Sequence, residues 1–215
     1  MDTITITPDF TLTPAMVVSV ARNGAQVQLS DASQSQIAQC RAGLESVLDD
    51  GLPHYGINTG FGSLANKSIE HDDLENLQRN LIRSHSAGIG DPLESEVVRG
   101  MMFVLACSLS RARSGVRVEV VTQILAMLNA GITPVVPELG SVGASGDLAP
   151  LAHIAEVMIG EGHAILNGTI KPGIEALALA NLQPLTLQAK EGLALINGTH
   201  LMTARFALIE QDLVQ

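Results

Sequence analysis

Residues 140–153 read GSVGASGDLAPLAH. Three glycines, two serines and an alanine run into Asp147 and then into a segment with helical spacing of apolar residues. Glycine opens backbone conformations that other residues avoid, so the stretch predicts a tight loop feeding a helix. Asp147 falls at the expected N-cap and Pro150 in the first turn. The residues alone leave three readings of the loop. One is a plain turn, another an anion nest of backbone N–H groups. The third is backbone chemistry. If the Gly146 amide nitrogen attacks the carbonyl carbon of Ala144, a five-membered ring closes. Loss of one water there, and of a second as the Ser145 hydroxyl leaves, gives a 4-methylidene-imidazol-5-one (MIO), a conjugated electrophile. Each residue type suits its part: Gly146 has no Cβ to block closure, Ser145 supplies the leaving hydroxyl, and Ala144 is small. Asp147 is placed to assist proton movement. A P-loop ending, a dinucleotide fingerprint and a G-x-S-x-G elbow are all missing from the stretch.

Outward from the loop, helical patterning dominates. ITPVVPELG (132–140) holds two prolines too close for a helix and predicts an extended approach. Before it come three helical segments, DDLENLQRNLIRSHSAG, LESEVVRGMMFVLACSLSRA and GVRVEVVTQILAMLNAG. Residues 52–68 have no helical period and predict a long loop, a length that in compact domains favours function. Towards the N-terminus, Thr13-Pro14 and Ser30 mark helix starts, with short strands at TITIT and AQVQLS. After the loop, HAILNGTIKPG predicts a hairpin, and the final helical stretch carries a break at Asn197-Gly198-Thr199. The strands are too short for a large sheet, so the fold class is mainly α. RFALIEQDLVQ ends without a C-cap glycine, which predicts an apolar helix face in need of a partner.

Composition narrows the function classes. The chain has 215 residues, of a size for one domain, with 46% apolar residues but only 2% aromatic ones, no Trp and a single Tyr. The core is therefore expected to be aliphatic. A formal charge of −10 argues against nucleic acid as a partner, since phosphate binding needs clustered Lys and Arg. Cys40 and Cys107 show no disulfide or metal spacing and predict reduced, buried thiols in a cytoplasmic protein. MDTITITPDF lacks the regions of a secretory signal, and MMFVLAC is too short to span a bilayer. The six histidines show no metal-ligand spacing.

GITPVVPELGSVGASGDLAPLAH (131–153) closely resembles the signature of the aromatic amino acid ammonia-lyases and their related aminomutases. YGINTGFGSL (55–64), NLIRSHSAGIG (80–90), SGVR (114–117) and EGLALINGT (191–199) resemble further motifs of that family, in family order. The resemblance implies the N-terminal part of the ammonia-lyase fold, within the fumarase/aspartase-like superfamily. Residues 1–215 would form the MIO-bearing domain, without most of the long central helical bundle. It implies MIO built from Ala144, Ser145 and Gly146, with no metal or diffusible cofactor. Tyr55 would remove a substrate β-proton, His85 would contact the substrate side chain, and Asn197 would hold the amino acid and the ring. Gly62 would approach the substrate through its backbone, and Asp147 would support ring formation. His200 stands where Gln or Ser is expected after NGT and is a candidate to retune the pocket. The implied partners are an amino acid substrate and further copies of the chain in a homotetramer. The implied reaction is elimination of ammonia from an aromatic L-amino acid, with Ser84-His85 favouring L-histidine and trans-urocanate as product. A phenylalanine or tyrosine lyase, an aminomutase, or an inactive truncated domain are the alternatives.

Overall fold

Thr13 opens the first helix as its sequence predicts. Its Oγ1 accepts from Met16 N at 3.4 Å, and Pro14 takes the first helical position, where no N–H is needed. The structure is a computed structural model that describes residues 3–48, 50, 52, 54, 56–59, 73–144 and 147–214. In it, α1 (Pro14–Ala21) connects two parallel strands, β1 (Thr3–Ile6) and β2 (Gln26–Leu29). Ser30 then caps α2 (Asp31–Leu48), its Oγ accepting from Ser33 N at 3.2 Å.

The next helices are α3 (Leu74–His85), α4 (Ser95–Leu109) and α5 (Val118–Asn129). Between α3 and α4 lies β3 (Ile89–Pro92). The proline-rich stretch after α5 gives the short strands β4 (Thr133–Pro134) and β5 (Pro137–Leu139). After the glycine loop come α6 (Ala149–Met158), the hairpin β6 (His163–Leu166) and β7 (Thr169–Pro172), then α7 (Gly173–Leu179), α8 (Glu191–Ile196) and α9 (His200–Val214). The hairpin turns on Asn167 (φ 52°) and Gly168 (φ 75°), the left-handed pair that matches the twist of tight hairpins. β6 also pairs with β4, and β3 pairs antiparallel with β5.

α4 is the centre of the molecule. Met101 to Ala106 are buried on every side, as an all-round apolar helix must be. α1, α5 and α9 surround it. At Gly100 the approach is close enough that a Cβ would stand 3.2 Å from Val17 and 3.3 Å from Ala204. The core is aliphatic as composition predicts, with Phe103 its one fully buried aromatic among the described residues. The end of α5 closes the small sheet in an unexpected way. Asn129 Oδ1 accepts from Val27 N at 2.9 Å, and its Nδ2 donates to Val27 O at 2.8 Å, so one side chain stands in for a third strand.

Two expectations need correction. Cys107 is buried, but Cys40 is only half-buried, because it flanks the Ile37–Arg41–Leu44 stripe that α2 turns inward. Asp147 is not the cap of α6. That helix starts at Ala149 after Leu148, and the Asp147 carboxylate turns back towards the loop instead. On α9, Leu201, Ala204, Ala207 and Leu208 are buried, whereas Phe206, Ile209 and Leu213 are more than half exposed. The apolar stripe read from the sequence is there, facing solvent. Among the described residues no helix is long and apolar enough to cross a membrane.

Candidate active site

Three separate segments converge around the glycine loop. α3 and α6 run antiparallel: Arg83 near the end of α3 bonds Glu161 beyond the end of α6, and Gly88 meets His153 near the start of α6. The segment after α3 is zipped to the approach of the loop by the Ile89–Leu139 pairing. Gly140 and Gly88 pack closely enough that a Cβ on Gly140 would stand 3.2 Å from Gly88 Cα. On the far side, a Cβ on Gly143 would lie 3.8 Å from Met202 Sδ, in the first turn of α9. The motifs around His85, at 140–144 and at 197–202 therefore meet, though they lie far apart in the chain.

The loop is clasped at its base. The Asp147 carboxylate, 5% exposed, accepts from Val142 N at 3.1 Å through Oδ1 and from the Ser141 hydroxyl through Oδ2. Ser141 Oγ accepts in turn from Gly143 N at 3.2 Å. This use outcompetes helix capping because Asp147 stands one residue before the cap position, and Pro150 has already removed one of the N–H groups a cap would satisfy. Val142 and Ala144 are exposed, with Gly143 at φ +68°. Residues 142–144 thus lie at the surface beside the buried Asp147. Ser145 and Gly146 lie outside the described residues, as do Tyr55 and Gly62. Of the described residues in this stretch, Ile57 N and Asn58 N both donate to His54 O, and Asn58 Oδ1 accepts from His54 N.

His85 sits at the C-terminal end of α3, half-buried. Its Nδ1 lies 2.8 Å from Leu81 O and 3.1 Å from Ser84 Oγ, and Ser84 Oγ itself donates to Leu81 O. A carbonyl only accepts, so Nδ1 carries a proton, and in the neutral ring the lone pair then lies at Nε2. His85 is therefore set up as an acceptor. Asn197 follows α8 directly and is exposed, with extended backbone (φ −96°, ψ 97°) and its N–H on Leu193 O. Its amide side chain is bonded to none of the described residues.

The residues that anchor the start of α8, the helix before Asn197, were not singled out from the sequence. Glu191, fully buried at the start of α8, accepts from Arg117 N, Nε and Nη2 at 2.8–3.0 Å and from Gln188 N at 2.8 Å. Arg41 lies 3.9 Å away and donates to Gly115 O and Ala189 O. Glu191 keeps the Arg117 guanidinium above its ordinary pKa, chiefly by direct hydrogen bonding. Both ends of the pair lie in the family-like motifs, Arg117 in SGVR and Glu191 in EGLALINGT. On the other flank, His200 is buried beside Gly198, with Nδ1 unpartnered among the described residues, and burial lowers its pKa. It packs under the start of α9 instead of facing outward.

Among the described residues no group of three or more His, Cys, Asp or Glu is placed to hold a metal ion. A small cleft of about 110 Å³, lined by Glu75, Arg79, Ile159 and residues 184–187, lies at the opposite end of α3 from His85. It gathers no residue of the loop.

Comparison with known proteins follows the same outline. The sequence model of the aromatic amino acid lyases matches residues 12–215. A histidine ammonia-lyase of Deinococcus radiodurans is 53% identical over 195 residues, covering 91% of this chain and 37% of that protein. The crystal structure of histidine ammonia-lyase from Trypanosoma cruzi superposes with a TM-score of 0.87 at 38% identity, over 95% of this chain and 39% of its own. A phenylalanine aminomutase of Pantoea agglomerans superposes with a TM-score of 0.91 at 32% identity, over 100% of this chain and 41% of its own. The chain thus spans about two fifths of the length of these relatives.

Proposed function

Since the chain belongs to the aromatic amino acid lyase family, we propose that it is the MIO-bearing part of an ammonia-lyase that converts L-histidine to trans-urocanate and ammonia. The observation that carries the substrate is the 2.8 Å contact of His85 Nδ1 with Leu81 O, which in the neutral ring leaves Nε2 as an acceptor. An imidazole N–H satisfies it. A phenyl ring does not, and a polar group left unpaired costs about 1–3 kcal/mol. The greater identity to a histidine ammonia-lyase than to an aminomutase supports the same choice.

The residues fit the prosthetic group. The Asp147 clasp holds the two ends of the stretch, Val142 and Asp147, at hydrogen-bond distance, which favours the bend that ring closure needs. Ala144, Ser145 and Gly146 would form the group, which supplies an electrophilic methylidene for the substrate amine. Around it, Nε2 of His85 takes the imidazole N–H and fixes the side chain. Asn197 would help hold the prosthetic group, its amide being a donor suited to a carbonyl oxygen that gains negative charge. The backbone at Gly62 lines the substrate, and the Tyr55 hydroxyl oxygen takes the β-proton. A phenol ordinarily ionises near ~10, so the site must favour its deprotonated form.

The complete active unit is a homotetramer in this proposal. The exposed Phe206–Ile209–Leu213 stripe supports burial against further protein surface. Unbridged Cys40 and Cys107 fit a reducing, cytoplasmic setting. The second reading is an aminomutase, favoured by the superposition on the Pantoea agglomerans enzyme. The test supplies L-histidine, L-phenylalanine and L-tyrosine to the protein at the full length of its relatives, following ammonia and the unsaturated acid. Release of both from histidine alone supports the proposal. A β-amino acid as main product, or turnover of phenylalanine with none of histidine, overturns it.

A further inference from the structure

We propose that His153 is a positioning residue for this site, tying the segment that follows His85 to the helix that follows the glycine loop. The proposal rests on reading His85 and the 140–147 loop as parts of one site. Gly88 N donates to His153 Nε2 at 3.1 Å. A backbone N–H only donates, so Nε2 must carry the lone pair, and the neutral ring bears its proton on Nδ1. Glu156 Oε2 stands 3.4 Å from Nδ1, nearly one turn along α6, and its negative charge favours the proton on that nitrogen. The His153 side chain is only 12% exposed, so little water competes for Gly88.

Gly88 has no slack. A Cβ there would stand 3.0 Å from His153 Nε2 and 3.1 Å from Pro137 Cβ, so the backbone lies between the imidazole and the proline. Gly140, where the loop begins, presses on Gly88 Cα from another side. Towards α3, Ala87 N donates to His85 O at 2.8 Å, so one tight turn separates Gly88 from His85. The Nδ1 bond that orients the His85 ring is made within the last helical turn, to Leu81 O. Releasing Gly88 therefore loosens the turn that ends α3, and with it the His85 ring.

A purely space-filling role makes a different prediction, and two substitutions separate them. Leucine at 153 fills much of the volume but leaves Gly88 N without an acceptor, whereas glutamine offers an amide oxygen at similar reach. The experiment uses the ¹⁵N-labelled 215-residue chain and its His153→Leu and His153→Gln variants. It reads Gly88 amide exchange and the ring-nitrogen chemical shifts of His85 and His153. In the unsubstituted chain His153 shows a bare Nε2 and a protonated Nδ1. His153→Leu speeds Gly88 exchange about tenfold or more and moves the His85 nitrogens towards a tautomer average. His153→Gln restores both. Unchanged Gly88 protection and His85 shifts in His153→Leu overturn the proposal, as does a glutamine variant no better than leucine. Should His153→Leu fail to fold, the unsubstituted chain still decides: a proton on His153 Nε2 contradicts the proposal. Failure of the full-length protein to act on histidine, with these spectra as expected, counts against the proposed function and leaves the role of His153 standing.

Discussion

Arg117 and Glu191, 74 residues apart, form a largely enclosed ion pair, with Glu191 wholly buried and accepting three hydrogen bonds from Arg117 alone. The pair fixes the start of α8, at whose end Asn197 stands. Removing the carboxylate leaves the Arg117 charge without its anionic partner beside an emptied site. Glu191→Ala is expected to cost about 3–5 kcal/mol. Arg22 makes an equally well-formed contact with Glu96 and Asp212, but at the surface, with side chains 26%, 38% and 52% exposed. Arg22→Ala is expected to cost under about 1 kcal/mol. Urea unfolding midpoints compare the two, and equal shifts would refute the assignment of Glu191 as a buried anchor.

The Ser141–Asp147 clasp makes a prediction about ring formation. Asp147→Ala cuts both links between the two ends of the loop, stranding the Ser141 hydroxyl and Val142 N. Ser141→Ala removes the bonds to Asp147 and from Gly143 N but leaves Val142 held by Asp147. The fraction of molecules lighter by two waters should fall in Ser141→Ala and fall further in Asp147→Ala. Intact mass after a fixed maturation time measures it. Dehydration of Asp147→Ala at the unsubstituted rate would show that the clasp is irrelevant to the chemistry.

His85→Leu tests the acceptor. In the full-length protein it should lower kcat/KM for L-histidine by the equivalent of about 1–3 kcal/mol and improve use of L-phenylalanine. Steady-state kinetics on both substrates decide. An unchanged preference would place the discriminating contact elsewhere.

His200 gives a stability signature in pH. Its folded pKa lies below its ordinary 6.5 because burial disfavours the imidazolium. Above 6.5 both folded and unfolded chains hold the ring neutral. As pH falls below 6.5 the unfolded chain takes up the proton first, so stability is lost until the folded pKa is passed. Thermal midpoints should therefore drop between about pH 7 and pH 5.5, a window above the usual range of the surface carboxylates, and His200→Gln should flatten that drop. An identical slope in His200→Gln would place the titrating group elsewhere.

What the sequence disclosed was local. Thr13-Pro14, Ser30 and Asn167-Gly168 set their helix starts and hairpin because caps and turns depend on neighbouring backbone groups. The break before α9 and the exposed face of Phe206, Ile209 and Leu213 follow from spacing in the same way. Asp147 misled for a physical reason. A carboxylate beside a helix start has two sets of N–H groups within reach, and only the fold showed that Val142 and Ser141 claim it. The Arg117–Glu191 pair, the His153–Gly88 bond and Asn129 acting as a strand left no periodic trace, because each joins residues 65 to 102 positions apart. Nothing local in a sequence encodes such a partner.

The most direct test is to weigh the folded protein intact and record its near-ultraviolet spectrum beside Ser145→Ala. The account predicts a mass two waters below that of the sequence, with an absorbance that one Tyr and no Trp do not provide, and neither feature in Ser145→Ala. A folded protein at its unmodified sequence mass would contradict it.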